Sequence, residues 1–140
     1  MSILLYIFMY NKINPEDFAL HKENVFHNMR DLIKPILPVV NLVYKNYKKI
    51  PLAIGSGGNR KAIFETLDVL ELKTYFDVII AAEDVENHKP APDTFLKCAE
   101  LLKTDPGDCL VFEDGDRGIE AARRAGMKVI DITPWHPKTG

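Results

Sequence analysis

The chain has 140 residues, 46% of them apolar and 27% charged, with a net charge of −2. A chain of that length builds one domain that buries roughly 70% of its unfolded surface, and its balance of charge excludes a polycationic nucleic-acid binder or a surface made for anionic membranes. Two cysteines, Cys98 and Cys109, are too few for a disulfide framework and fall in apolar segments, so both are expected as buried thiols of a reducing cytoplasm.

Residues 2–10 (SILLYIFMY) form an apolar run with no basic residue before it and no small-residue cleavage site after it. The run is also far shorter than the ~20 residues that span a bilayer, so neither a signal peptide nor a membrane span is expected. Asn14-Pro15-Glu16-Asp17 is a helix-start signal, with proline at the first helical position and acids near the positive end of the dipole. A helix over residues 15–33 follows, with Phe18, Val25, Met29 and Leu32 on one face, and Lys34-Pro35 ends it. A shorter helix over 39–47 runs into lysines. Its Tyr44-Lys45-Asn46-Tyr47-Lys48-Lys49 run reads as cations at a helix C-terminus with partly packed tyrosines rather than as an RNA patch.

From residue 49 the pattern becomes strand alternating with helix. Apolar strand runs are expected at 51–55, 76–81, 109–112 and 128–132. Helices are expected over 59–72, over 93–102 with Pro92 opening it, and over 117–125, where Gly126 supplies a left-handed cap. Four apolar strands separated by three helices predict an α/β fold, an open parallel Rossmann-like sheet covered on both faces, with ligands outside the carboxyl ends of its strands. The chain divides on this reading into residues 1–48 and an α/β core over 49–140.

Three strand ends carry residues suited to chemistry. Gly55-Ser56-Gly57-Gly58-Asn59 joins a glycine-rich turn to a helix N-terminus, which makes an anion site of backbone N–H groups and the Ser56 hydroxyl. In His88-Lys89-Pro90-Ala91-Pro92 two prolines mount Lys89, a point charge suited to phosphate. Glu113 and Asp114 emerge together where an apolar strand ends, as hard oxygen ligands of the kind magnesium takes. Taken singly, each has an ordinary reading: a plain turn, a solvent-facing lysine, an acidic turn in which Asp116 caps the next helix. His21, His27, His88 and His136 have no ligand-like spacing, and Trp135 reads as a surface-packing residue.

Taken in order, Ser56, Lys89 within KPAPDTF, and Glu113-Asp114 followed by GIEAARRAGM resemble the haloacid dehalogenase superfamily, in its beta-phosphoglucomutase and fructose-1-phosphate phosphatase-like branch. The resemblance implies a magnesium-dependent sugar-phosphate phosphatase or phosphomutase. Ser56 and the amides after it, including Gly57, would hold the transferring phosphoryl group and Lys89 would neutralise it. Glu113 and Asp114 would hold Mg²⁺, and Asn59 would touch a substrate phosphate. The partner is a small phosphorylated sugar or phosphate, with no nucleic acid and no membrane. Residues 1–48 would be a helical remnant of the cap that such proteins insert, with connecting helices.

The sequence departs from that pattern in one respect. It has no DxDGT-like stretch, where the family's nucleophilic aspartate stands, and its first aspartate, Asp17, lies in a helix start. Residues 2–10 admit two readings. The preferred one is a helical cap remnant, since the run leads directly into the helix from Pro15. The other is a strand filling the vacated central slot, with Asn11 near the nucleophile's position. Unless the slot is refilled, a sheet without its central strand pairs with another copy or a complementing polypeptide. The expected function is therefore a truncated phosphatase or phosphomutase, inactive alone, and the alternative is a non-catalytic phosphate- or sugar-phosphate-binding module.

Overall fold

The computed structural model describes residues 2–5, 8–10 and 33–136. In chain order the strands are β1 (Ser2–Leu5), β2 (Phe8–Tyr10), β3 (Ile33–Pro35), β4 (Leu52–Gly55), β5 (Val78–Ile80), β6 (Cys109–Glu113) and β7 (Lys128–Asp131). The helices are α1 (Leu37–Asn46), α2 (Arg60–Leu70), α3 (Asp93–Leu101) and α4 (Asp116–Arg124). Five strands form one parallel sheet in the order β5-β4-β1-β6-β7, while β2 and β3 make a separate antiparallel ribbon.

The α/β sheet expected from the alternating pattern is present, and its central slot is filled by β1. Leu4 pairs with Ala53 on one side and Val111 on the other, and Leu5 pairs with Ile54 and Phe112. The helical reading of residues 2–10 is thereby corrected. A short apolar segment has no strong preference of its own, and a slot with unpaired backbone on both sides supplies hydrogen bonds that a lone helical turn cannot match. Residues 2–5 thus belong to the same sheet as the strands after residue 49. Of the helix expected over 15–33, residues 15–32 lie outside the described residues, and Ile33 belongs to β3. The next helix begins at Leu37, two residues before its expected start, because Pro38 fits a first helical turn.

Side chains alternate between the two faces of the sheet, as the strand period requires. Leu52, Ile54 and Phe112 join Val39, Val43, Ile63 and Leu67 in a core beneath α1 and α2. Ala53, Cys109 and Val111 join Phe95, Cys98, Ala121 and Ala122 beneath α3 and α4. Local signals agree with this packing: Asn59 caps α2 by accepting from Ala62 N at 2.8 Å, and Gly126 adopts φ +77 after α4. Tyr44 and Tyr47 pack on Tyr75, with ring centroids 5.2 and 4.6 Å apart, and Trp135 lies 5.9 Å from Phe112. No helix among the described residues is long and apolar enough to cross a membrane.

Both cysteines are unpaired and buried, and burial pushes the Cys98 thiol up to about 12. Because the thiolate is the reactive form, native chain is expected to resist iodoacetamide and to be alkylated at both positions once unfolded. Mass spectrometry before and after denaturation checks this. Rapid alkylation of Cys98 in the native state would contradict its place in the core.

The strand order places the chemistry. β4 and β5 run outward on one side of β1, and β6 and β7 on the other. The chain therefore reverses direction around β1, and the carboxyl ends of β4 and β6 flank the crevice left at that switch point.

Candidate active site

Ser56 directly follows β4. Its backbone N–H donates to Ile80 O at 2.9 Å, which ties it to the end of β5, and the residue is nearly buried. Its Oγ accepts from Gly58 N at 3.0 Å, so the hydroxyl proton remains to be given to a ligand. A side chain at Gly57 would meet nothing within 4 Å, so the turn is open on that side. Asn59 spends its carbonyl on the cap of α2, which leaves its NH₂ as the end able to meet a ligand. The turn is braced from the loop after β5: the Glu83 carboxylate accepts from Arg60 N at 3.0 and 3.1 Å, and Arg60 pairs with Asp84.

Lys89 lies in the loop between β5 and α3 and reaches back across the sheet. Its Nζ donates to Gly55 O at 3.0 Å and to Glu113 Oε2 at 2.9 Å, so one ammonium group links the ends of β4 and β6. It also sits 4.6 Å from the centre of the Phe95 ring, over a face that attracts a cation. Two of its three N–H donors are thus engaged and the third is left for a ligand.

Glu113 is only 4% exposed, and its carboxylate is closely held. Besides Lys89 it accepts at Oε1 from Asp114 N at 3.0 Å and Gly115 N at 3.2 Å, against the first turn of α4. Gly118 passes directly over it: a Cβ there would fall 2.1 Å from Glu113 Cδ. The N-cap of α4 is Gly115, with no side-chain cap, so Asp116 is the first helical residue and not the cap expected from the sequence. The strand continues straight to Glu113, which leaves Gly115, rather than Asp116, at the turn into the helix.

Asp114 stands beside this pair. Burial and then the negative charge of Glu113 push its carboxyl up to about 6, while His136, whose Nε2 is 2.9 Å from Asp114 Oδ2, pulls in the opposite direction. A carboxyl held above its ordinary value makes the fold less stable once ionised. That cost is absent below about pH 4, grows between the ordinary and the raised value, and is complete above about pH 6. Asp114→Asn, without divalent ions, is expected to stabilise the chain at neutral pH by on the order of 1 kcal/mol after allowance for solvent screening, and to change little at pH about 4. Urea midpoints at the two pH values check it, and equal shifts at both would show that the charge is not the cause.

Ser56, Lys89, Glu113 and Asp114 thus meet at one edge of the sheet. What the sequence reading missed is that Glu113 is bound to Lys89, that Gly118 makes room for it, and that His136 reaches Asp114. The glycine within GIEAARRAGM was the one visible signal of the second. Asn11 lies outside the described residues; β1 itself ends at Leu5. The residues that continue from Leu5, Tyr6 and Ile7, carry no carboxylate.

The chain matches the haloacid dehalogenase-like hydrolase family over residues 3–132. It is 41% identical over 121 residues to the fructose-1-phosphate phosphatase YqaB of Escherichia coli (strain K12), covering 86% of this chain and 64% of that protein. An uncharacterized protein of Haemophilus influenzae is 41% identical over 117 residues, covering 84% of this chain and 58% of its own length. Among solved structures, the beta-phosphoglucomutase of Clostridium difficile superposes with a TM-score of 0.67 at 26% identity, over 87% of this chain and 56% of that one. The chain therefore spans somewhat over half the length of these three relatives.

Proposed function

The chain belongs to the haloacid dehalogenase-like hydrolases, and on that footing we propose that it forms the phosphate- and magnesium-holding part of a sugar-phosphate phosphatase or phosphomutase. The observation that carries the reading is Lys89, held by Gly55 O and Glu113 across the carboxyl end of β1 with one donor to spare. Similarity to the fructose-1-phosphate phosphatase and the beta-phosphoglucomutase supports a small phosphorylated sugar as the ligand.

The chain's own groups divide the work. Ser56 donates its hydroxyl proton to one phosphoryl oxygen, and of the turn that follows the Gly57 amide is left to the same anion, since Gly58 N is given to Ser56 Oγ and Arg60 N to Glu83. Lys89 gives its third N–H to the phosphoryl group, and Glu113 keeps that ammonium in place. Asn59 offers its amide at the mouth of the site. Magnesium fits the donors present: Asp114 and Glu113 are adjacent carboxylates, burial and then the charge of Glu113 raise Asp114, and Mg²⁺ takes one or two such oxygens, completing its shell with waters and phosphate. When bound it would neutralise charge on the phosphoryl oxygens. Asp114 is the first candidate to hold it, since Glu113 already receives Lys89 and two amides.

Covalent phosphoryl transfer also needs a carboxylate at the end of β1, and Tyr6 and Ile7 supply none. That observation favours the second reading, a module that binds phosphate without turnover. The chain as written is expected to bind phosphate and to release none from hexose phosphates in the presence of magnesium. Calorimetry with inorganic phosphate and a phosphate-release assay check the two halves, with Lys89→Ala and Asp114→Ala as controls. Turnover above background that both substitutions abolish would show a nucleophile elsewhere. A separate polypeptide bearing the family's aspartate strand would have to displace residues 2–5 from the central slot, so complementation is expected to be weak while those residues are present.

A further inference from the structure

We propose that His136 is a positioning residue for Asp114, delivered to the site by the turn that follows β7. The inference rests on the reading of Asp114 as a magnesium ligand given above. The turn is a built feature. Ile132 N donates to Glu113 O at 2.9 Å, and Thr133 Oγ1, which gives its proton to Asp131 Oδ1 at 2.6 Å, lies 3.3 Å from Asp114 O. Asp131 Oδ1 accepts from Thr133 N at 2.9 Å, and the Trp135 ring packs on Phe112. Ile132, Thr133 and Trp135 are thereby held against Glu113, Asp114 and Phe112, and the next residue, His136, is placed beside Asp114.

His136 Nε2 lies 2.9 Å from Asp114 Oδ2, with the two side chains 23% and 15% exposed. This nitrogen is cut off from solvent and makes no well-aligned hydrogen bond among the described residues. A buried imidazole nitrogen left in that state is costly, and the oxygen that faces it belongs to Asp114. A small rotation of either group satisfies both. The imidazole then fixes one Asp114 oxygen and so sets the direction in which the carboxylate meets a cation. Partners that orient a metal-holding side chain typically change affinity by ten- to a hundredfold when removed.

The test uses the full chain at about pH 8, above the ordinary imidazole range. Magnesium and inorganic phosphate are titrated separately by calorimetry into the wild type, His136→Ala and His136→Gln. Loss of about tenfold in magnesium affinity is expected for the alanine variant, with most of it recovered by glutamine, whose amide nitrogen can replace Nε2. Phosphate affinity, which depends on Ser56 and Lys89, is expected to stay within about twofold. In parallel, the carbon-13 resonance of the Asp114 carboxyl is expected to move in His136→Ala and to return in His136→Gln. Unchanged magnesium affinity in His136→Ala, or glutamine no better than alanine, overturns the proposal. So does an unmoved Asp114 resonance, whatever the magnesium result. If the wild type itself binds no magnesium while the resonance still moves in His136→Ala and returns in His136→Gln, the metal reading of Asp114 is removed and His136 is kept as its positioning partner.

Discussion

Lys89→Met is expected to destabilise the fold by about 3–5 kcal/mol and to abolish phosphate binding. Lys89 and Glu113 are 13% and 5% exposed, so the substitution strands a buried carboxylate whose remaining donors are two amides. It also removes the link between Gly55 O and β6, leaving a carbonyl at the end of β4 without its donor. The two losses can be separated. Lys89→Met combined with Glu113→Gln removes the stranded charge, so stability should recover substantially, since neutralised pairs are often close to neutral in cost. Phosphate binding should not recover, because no cation then faces the anion. Urea denaturation and phosphate calorimetry on the two single variants and the double variant measure both quantities. An unchanged urea midpoint in Lys89→Met would mean that the pair is solvated, and recovery of binding in the double variant would mean that Lys89 is not what meets phosphate.

The parts of the fold that could be read in the sequence are those whose signals are local. β4 and β6 are short apolar runs because strands inside a parallel sheet meet helices on both faces, while the edge strands β5 and β7 are read from shorter apolar stretches that follow a turn or a glycine. Asn59 and Gly126 mark helix ends through their own chemistry. β1 was not legible in the same way. Ser-Ile-Leu-Leu suits a helix or a strand equally, and its state is decided by Ala53 and Val111, residues far away in the chain. The site shows the same division. The residue types at the strand ends were visible, but the contact between Lys89 and Glu113 spans 24 residues and exists only once the loop after β5 has been laid across the sheet. His136 carries no motif at all. It reaches Asp114 because Thr133–Trp135 forms a turn of 3₁₀ helix, which no spacing rule for metal ligands anticipates.

Gly118→Ala is expected to be strongly damaging, since among the glycines described it has the shortest contacts for an added Cβ. On helix propensity alone, alanine in place of glycine would stabilise α4 by up to about 1 kcal/mol. Packing decides otherwise, since the new methyl would fall 2.1 Å from Glu113 Cδ and Oε2 and 2.5 Å from Cγ, far inside contact distance. Glu113 cannot turn aside without breaking its bonds to Lys89, Asp114 N and Gly115 N. If α4 moves instead, Ala121 and Ala122, both fully buried against the sheet, lose their contacts. Either route costs more than the propensity gain, and a net loss of roughly 3–4 kcal/mol is expected, together with weaker phosphate binding through displacement of Lys89. Shortening the neighbour by one methylene should relieve the clash, so Gly118→Ala with Glu113→Asp is expected to regain part of the stability. Gly57→Ala, where nothing lies within 4 Å, serves as the control and should stay within about 0.5 kcal/mol of the wild type. Thermal and urea denaturation of these four proteins decide the matter. A Gly118→Ala chain as stable as the Gly57→Ala control would show that Glu113 does not occupy the space beneath the helix.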